Sequence, residues 1–428
     1  MAVKVLQFGE GNFLRSFLDW MLMKVADATG ERYQVTLVQP IPKGIAREIA
    51  ARGSYHVLLR GFESGKYVEQ LDAVSVIDKG INPFEEPDAL YSCAEDPAYA
   101  LVASNTTEAG IFYESGHGEP HNYPSFLAAF LRGRMRHGLK PPLVMPLELI
   151  DRNGDKLREA VKSYAAEWGW EDEFFTWLDG ALFYNTLVDR IVPGYPADAS
   201  ARIEARLGAK DPYLTSGELF HLLVIEGSPE ISSVVPFERA GLNAIVTRDQ
   251  LAFYRDRKVR ILNGCHTASV PVALFSGFEE VDKFADDERH GAWMRELAHE
   301  EIAFAMDGAQ ETHEYAGEVI ERFRNPALGH KFRSIALNSI SKCNTRLRPT
   351  LEDYYAKANA LPPRMTEGIL AMVRLYSDGP VAANLPGGPL ELSDYDSLGG
   401  NAPRDILDAM FPGLDAPIMR ALRDAAGC

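Results

Sequence analysis

Short apolar runs alternate with longer amphipathic stretches through the first half of this 428-residue chain, and helical periodicity takes over in the second half. Val3-Lys-Val-Leu-Gln-Phe8 reads as a buried strand, turned by Gly9-Glu-Gly11 and followed by a helical pattern over 13–28 that Asn12 can cap. Further strand patterns fall at 33–39, 55–60, 73–77 and 98–104, with another apolar run from Pro142; helical patterns fall at 83–95, 155–168 and 201–207. The run 218–226 fits strand or helix, because periodicity alone does not separate the two in so short a segment. Beyond Asp249 the predicted elements are helices at 267–276, 279–287, 291–307, 312–324, 330–342, 349–357 and 362–378. Strands alternating with helices predict a mostly parallel sheet covered on both faces. The expected architecture is therefore α/β, a doubly wound sheet domain over 1–245 and a mostly α-helical domain over 246–428.

A strand, a tight glycine turn and a helix form the opening of a Rossmann-like dinucleotide-binding domain. The first glycine permits the turn, the second lets the backbone approach a pyrophosphate, and the helix start faces its charge. Leu14 stands where the third glycine of that fingerprint falls. Gly9, Gly11, Asn12, Phe13 and Arg15 are the candidate cofactor residues here. The strand at 33–39 ends in Gln39-Pro40, where an acidic residue usually takes the ribose hydroxyls. Gln39 can still hydrogen-bond a ribose, so NAD(H) is the expected cofactor, with NADP left open and Lys43 and Arg47 nearby. The strand at 98–104 runs into Asn105-Thr-Thr-Glu108-Ala-Gly110. Small polar residues at the carboxyl edge of a parallel strand line ligands, which adds Asn105, Thr106 and Glu108; turn formation and helix capping are their other reading.

A net charge of −17, spread along the chain, leaves no basic field for nucleic acid, and an anionic substrate would need lysines and arginines placed locally. Cys93, Cys265, Cys343 and Cys428 lie far apart and read as reduced thiols. With no signal-peptide pattern and no apolar run near the ~18 residues of a membrane span, a cytoplasmic location is expected. The expected partner is a small molecule, with no nucleic acid and no membrane, for a monomer or small homo-oligomer. His117-Gly-Glu-Pro-His121 has ligand-like spacing, but Gly and Pro disfavour a helix and no third ligand follows, so no metal is expected.

The chemistry concentrates in Lys258-Val-Arg-Ile-Leu-Asn263-Gly-Cys-His266. On an α-helix Asn263 and His266 share a face, while Lys258 lies roughly 140° round from Asn263 and about 80° from His266. A base flanked by hydrogen-bond donors suits alcohol oxidation: one group takes the hydroxyl proton and the others stabilise the alkoxide. A basic helix start (Arg255, Arg257, Lys258, Arg260) running into a buried segment is the plainer reading. Cys265 beside His266 is read as packing, since adjacent helix residues diverge.

This run resembles the K-x-x-x-x-N-x-x-H signature of the mannitol dehydrogenase family, and Gly9, Gly11, Phe13 and Arg15 resemble its G-x-G-x-F-x-R. Ser104-Asn-Thr-Thr-Glu-Ala-Gly110 is most similar to that family's tagaturonate reductase branch. Phe183–Gly194, with Asp189-Arg-Ile-Val-Pro, and the segments around Arg322, Arg324, Asn338 and Lys342 also look like the family. The resemblance implies a metal-independent, NAD-dependent interconversion of a keto sugar acid and its alditol acid, D-tagaturonate and D-altronate best of all. Lys258 would be the general acid–base, with Asn263 and His266 polarising the reacting oxygen. Glu148 or Asn153 would stand in for a polarising asparagine of polyol dehydrogenases, and Asp189 would meet Lys258 or a substrate hydroxyl. Arg324, Lys342 or Arg346 would hold the carboxylate. The alternatives are a fructuronate or polyol substrate, a Schiff-base lyase working through Lys258, or a non-catalytic dinucleotide sensor.

Overall fold

The computed structural model describes residues 2–63, 65–107, 109–377, 385, 390, 398 and 400–428. The chain divides after Ala252 into two units. In chain order the strands are β1 (Val3–Phe8), β2 (Tyr33–Val38), β3 (Tyr55–Glu63), β4 (Lys66–Val74), β5 (Ile77–Ile81), β6 (Tyr99–Ser104), β7 (Leu143–Pro146), β8 (Asn185–Asp189), β9 (Thr215–Glu218), β10 (Leu222–Glu226) and β11 (Ala244–Thr247). Five of them form the main sheet in the order β5-β2-β1-β6-β7, each neighbour parallel to the next. Two three-stranded sheets, β11-β10-β8 and β4-β3-β9, accompany it. The run 218–226 is thus resolved as strand: β10 pairs parallel with β11 and antiparallel with β8.

Alternation along the main strands explains why the sheet is covered twice. Val5, Val35, Leu37, Leu101 and Ala103 join one apolar cluster with Leu18, Met21 and Val25. Leu6, Phe8, Val38 and Val102 join another with Phe126, Phe130, Leu157 and Val161. Successive side chains point to opposite faces, so each strand feeds both cores.

The helix expected over 13–28 is broken into Asn12–Ser16 and Leu18–Thr29, with Phe17 at φ −119°, ψ −81° between them. The carbonyls freed at the break find side-chain donors. Tyr55 Oη donates to Arg15 O at 3.1 Å, and Arg190 donates to Ser16 O at 2.5 Å. A kink is sustained when such partners replace the lost helical bonds.

Helices make up the second unit as expected, but with interruptions that α-helical periodicity does not signal. Among the described residues three segments wind as π-helix: Lys258–Asn263, Leu297–Ala303 and Cys343–Leu347. The stretch at 330–342 splits into Phe332–Ile335 and Ser339–Lys342 around Asn338, which sits at φ +57°. Helices Pro403–Met410 and Ala416–Ala426, absent from the expectations, end the chain. No helix among the described residues is long and apolar enough to cross a membrane.

Candidate functional site

In the first unit the order of the main sheet reverses at β1, so that chain leaves β1 and β6 in opposite directions at their carboxyl ends. A crevice at such a switch point is where open α/β sheets bind ligands. Phe8 pairs with Val38 on one side and Ser104 on the other, which brings the turns after β1, β2 and β6 to one edge. Gly9 sits there at φ +114°, and a Cβ on it would lie 2.7 Å from the Asn105 carbonyl oxygen. Only glycine permits both the turn and this contact. Gly11 differs: at φ −67° it has ordinary backbone, and a Cβ would meet nothing within 4 Å. Nothing in the chain itself asks for glycine at position 11.

The polar side chains of this edge are largely spent on the chain. Arg15 is buried; its guanidinium donates to Glu10 O (3.1 Å), to Asn12 Oδ1 (2.6 Å) and to the Tyr213 carbonyl. It points inward as a brace for the turn. Asn12 is thereby held, and Phe13 stacks on Phe17 at 4.9 Å. The Gln39 amide donates to Ile41 O and Pro42 O at 3.0 and 3.1 Å, shaping the loop after β2. Arg47 is paired with Glu85 and Glu86. Asn105 donates to Leu147 O at 2.6 Å. Thr106 donates through both its amide (2.9 Å) and its hydroxyl (3.0 Å) to Glu148 Oε1. Glu108 lies outside the described residues. The residue before it, Thr107, is a β-branched residue at φ +77°, a strained backbone at the same edge.

Glu148 and Asn153 are tied into the fold by the hydrogen bonds that follow. Glu148 is 2% exposed and also accepts from Ser104 Oγ at 3.1 Å; burial raises its carboxyl above the usual range against those donors. Asn153 is 0% exposed. Its amide donates to Pro146 O, Glu148 O and Thr186 Oγ1 (3.0, 3.1 and 2.9 Å), and its carbonyl accepts from the Gly154 and Thr186 amides. Asp189, also buried, closes β8. Its neighbour Arg190 donates to the Phe220, Leu219 and Ser16 carbonyls and lies 4.3 Å over the Trp20 ring; burial draws it down to about 9.

In the second unit the signature begins where the helix Leu251–Arg257 gives way to the π-helical turn Lys258–Asn263 and then to the helix Gly264–Phe275. The Gly264 amide reaches back to the Val259 carbonyl, the five-residue closure of a π-turn. That winding changes the expected geometry. Five residues carry a side chain well past a full turn of α-helix but close to one turn of π-helix, so Lys258 and Asn263 come onto nearly one face. π-Turns recur at functional sites for this reason.

The surrounding arginines anchor the turn. Arg257 pairs with Glu311 at 2.8 Å and lies over the Tyr315 ring at 4.4 Å. Arg260 bonds Thr350 (3.1 Å), Asp353 (2.7 Å) and Asp256 (3.3 Å). Both are buried, so the plainer reading of a basic surface helix fails at these two positions. Cys265 is fully buried, and burial pushes its thiol far up, leaving it inert packing.

His266 is 4% exposed, packed on Phe323 (ring centroids 4.2 Å) and edge-on to His330 (4.8 Å). Burial, then the proximity of His330, Arg346, Arg322 and Lys342, hold its imidazole well below its ordinary value, so it is neutral at pH 7. Among the described residues its Nε2 is buried without a hydrogen-bond partner. A buried polar atom left over in this way marks a place where a ligand group would bond. Lys342 donates to Ile335 O at 2.7 Å and Arg346 to Thr267 Oγ1 at 3.3 Å. Arg324 pairs instead with Asp286 at 2.6 Å on an exposed face. Sequence reasoning missed His330 and the approach of Arg322 to His266, because both depend on how two helices and the loop at His330 converge.

Residues 3–235 match the mannitol dehydrogenase Rossmann domain and residues 250–389 the mannitol dehydrogenase C-terminal domain. An altronate oxidoreductase from Bacillus subtilis is 40% identical over 387 residues, which cover 88% of this chain and 80% of the relative. Among solved structures, a D-sorbitol dehydrogenase in substrate-free form superposes with a TM-score of 0.78 at 21% identity, covering 98% of this chain and 89% of its own. A Pseudomonas fluorescens mannitol 2-dehydrogenase, in ternary complex with NAD and D-mannitol, does so with 0.72 at 18% identity, covering 100% and 92%. A Rossmann-type sheet that ends in a braced glycine turn, and a helical unit carrying Lys258, Asn263 and His266 in order, are the two halves of one architecture, and the chain belongs to the mannitol dehydrogenase family.

Proposed function

We propose that this chain is an NAD-dependent oxidoreductase interconverting D-tagaturonate and D-altronate, a keto sugar acid and its alditol acid. The observation that carries the reading is the unpartnered Nε2 of a buried, neutral His266 with Arg322, Lys342 and Arg346 close by. In a chain of net charge −17, cations gathered round one such atom favour an anionic substrate. The 40% identity to an altronate oxidoreductase supports the same choice.

The first unit would hold the cofactor. Gly11 leaves room for the pyrophosphate, and the turns after β1 and β6 meet through Gly9 and Asn105. Arg15 and Gln39 act by bracing these loops. Arg47 is paired with Glu85 and Glu86 on an exposed face. A nicotinamide bound there would supply the hydride for the carbonyl carbon.

The chain's own residues manage the oxygen. Lys258 gives it a proton in reduction and takes the hydroxyl proton in oxidation. Asn263 donates to the developing alkoxide. His266, already neutral, offers its Nε2 to that oxygen or to the next hydroxyl without competing with Lys258 as the acid. Arg346 or Lys342 binds the carboxylate.

The test is NADH consumption with D-tagaturonate, D-fructuronate and D-fructose in parallel. Tagaturonate should turn over best. Replacing Arg346 with Met should raise its KM about 10- to 100-fold, the loss of one charge-assisted bond. Preference for fructose would sink the carboxylate reading.

A further inference from the structure

The loop after β6 gathers a cluster that the reaction does not use. Reading forward from His117 finds no third ligand, but the structure supplies one from upstream. Donor atoms of Glu114, His117 and His121 all lie within 4.8 Å of one another. The two imidazoles stack with ring centroids 3.7 Å apart and 25° between planes. Both present Nε2 to the same carboxylate: His117 at 3.7 Å from Glu114 Oε1, His121 at 3.5 Å from Glu114 Oε2.

Those separations are too long for hydrogen bonds. Each imidazole faces a different oxygen of the carboxylate, and with all donor atoms within 4.8 Å, side-chain rotations that unstack the two rings bring two nitrogens and one oxygen to the ~3.4 Å edges of a tetrahedron with metal–ligand bonds of about 2.1 Å. His121 Nε2 is buried with no hydrogen-bond partner among the described residues. Its other nitrogen, Nδ1, lies 3.3 Å from the Glu119 carbonyl. Donation of Nδ1–H to that oxygen leaves Nε2 with a lone pair aimed at an anion. This tautomer, fixed by a backbone carbonyl behind the ring, is how metal-ligating histidines are usually oriented.

The loop is also built to hold the three ligands still. Trp168 Nε1 donates to His117 O at 2.7 Å. The Glu114 amide and the Asn122 side chain both donate to Tyr164 Oη, at 3.0 and 2.7 Å. The Gly116 amide and Tyr113 Oη both donate to Glu167, at 2.6 and 2.7 Å. Asn122 and Ser125 form a reciprocal cap on the helix Tyr123–Arg136 immediately after His121.

We propose that Glu114, His117 and His121 form a zinc site, two imidazole nitrogens and one carboxylate oxygen with water completing the tetrahedron. Partial exposure of all three residues gives the ion a route in. The site is independent of the reaction proposed above and closes the 114–121 loop on itself, while hydrogen bonds to Tyr164, Glu167 and Trp168 tie that loop to the helix Asn153–Glu167 and its end.

The experiment titrates the full-length protein, stripped with chelator, with Zn2+ against a chromophoric competitor. Unfolding temperature is followed in parallel. Wild type should bind one equivalent and melt at higher temperature with zinc. Glu114→Gln, His117→Gln and His121→Gln should each weaken binding at least 10-fold, and the triple variant should lose both the equivalent and the thermal shift. The variants' melting without metal, matched to wild type, checks that they fold. A Cys428→Ser background removes the exposed thiol as a competing ligand. Co2+ in place of zinc should give a tetrahedral visible spectrum without a thiolate charge-transfer band. Undiminished binding by the triple variant, or no binding by wild type at micromolar zinc, would overturn the site.

Discussion

The turn after β1 and the π-helical segment at Lys258 contribute to one family architecture by opposite means. Around the turn, backbone shape does the selecting and side chains serve as braces: Arg15, Gln39, Glu148 and Asn153 all bond other parts of the chain. Around the π-segment the arginines Arg257 and Arg260 are braces too, yet His266 retains a polar atom with no partner among the described residues. A dinucleotide needs a surface that leaves room and offers amides. A reacting oxygen needs side chains whose hydrogen-bonding capacity is still unused. Polar residues in a motif can therefore be sorted by asking whether the fold has already consumed them.

The contrast is tested most severely at Lys258. Lys258→Ala should lower turnover by roughly 10²- to 10⁴-fold, the usual contribution of a general acid–base, while NADH affinity measured by fluorescence titration stays near wild type. Loss of NADH binding in step with turnover would mean that the lysine supports the cofactor half instead.

The two glycines of the turn separate shape from stability. Gly9→Ala must place a side chain at φ +114° and 2.7 Å from a carbonyl, so it should cost roughly 1–3 kcal/mol in urea unfolding. Gly11→Ala meets no protein atom, so stability should hold while NADH binding weakens about 10-fold or more. Equal NADH affinity in Gly11→Ala and wild type would remove the pyrophosphate from this turn.

The smallest effect is a pH slope that each unit carries separately. Burial raises Asp19 to about 7 in the first unit, against bonds from Tyr55 and Gln7. Burial raises Glu301 to about 7 in the second, where it accepts from the Arg364 and Met365 amides. Both hold protons in the folded state that the unfolded chain releases near its ordinary carboxylate value. Their contribution to stability is therefore full at low pH and is lost as pH rises toward about 7. Asp19→Asn and Glu301→Gln should each flatten the dependence of the urea midpoint across that window. Slopes identical to wild type would place those protons elsewhere.

Much of this was legible in the chain. The strand Val3–Phe8, the glycine turn, the run into Ser104 and the helical second half follow from apolar spacing and punctuation, which local physics enforces. The break at Phe17 was not, because it depends on Arg190 and Tyr55 arriving from distant sequence to take two carbonyls. The π-turn was not, because a 3.6-residue period is assumed in reading any helix; the five-residue gap from Lys258 to Asn263 was its only trace. The inward turn of Asn153 and Glu148 was hidden for a related reason. A polar residue at a strand end looks the same in sequence whether it faces a ligand or closes a loop.

The π-turn also sets the phase of the helix beyond it. Relative to an unbroken α-helix, one extra residue per turn shifts the angular register of every position after Gly264 by roughly 100°. Helix Gly264–Phe275 carries His266 beside the fully buried Cys265, about 100° round from it, so its rotation decides which of them meets Arg346 and His330. Removing a single residue from Lys258–Asn263 would preserve a helix while turning the wrong side chains toward the cations. In this segment length is information in the way that residue identity is elsewhere: a one-residue indel is a rotation, and substitution scanning alone would never register it.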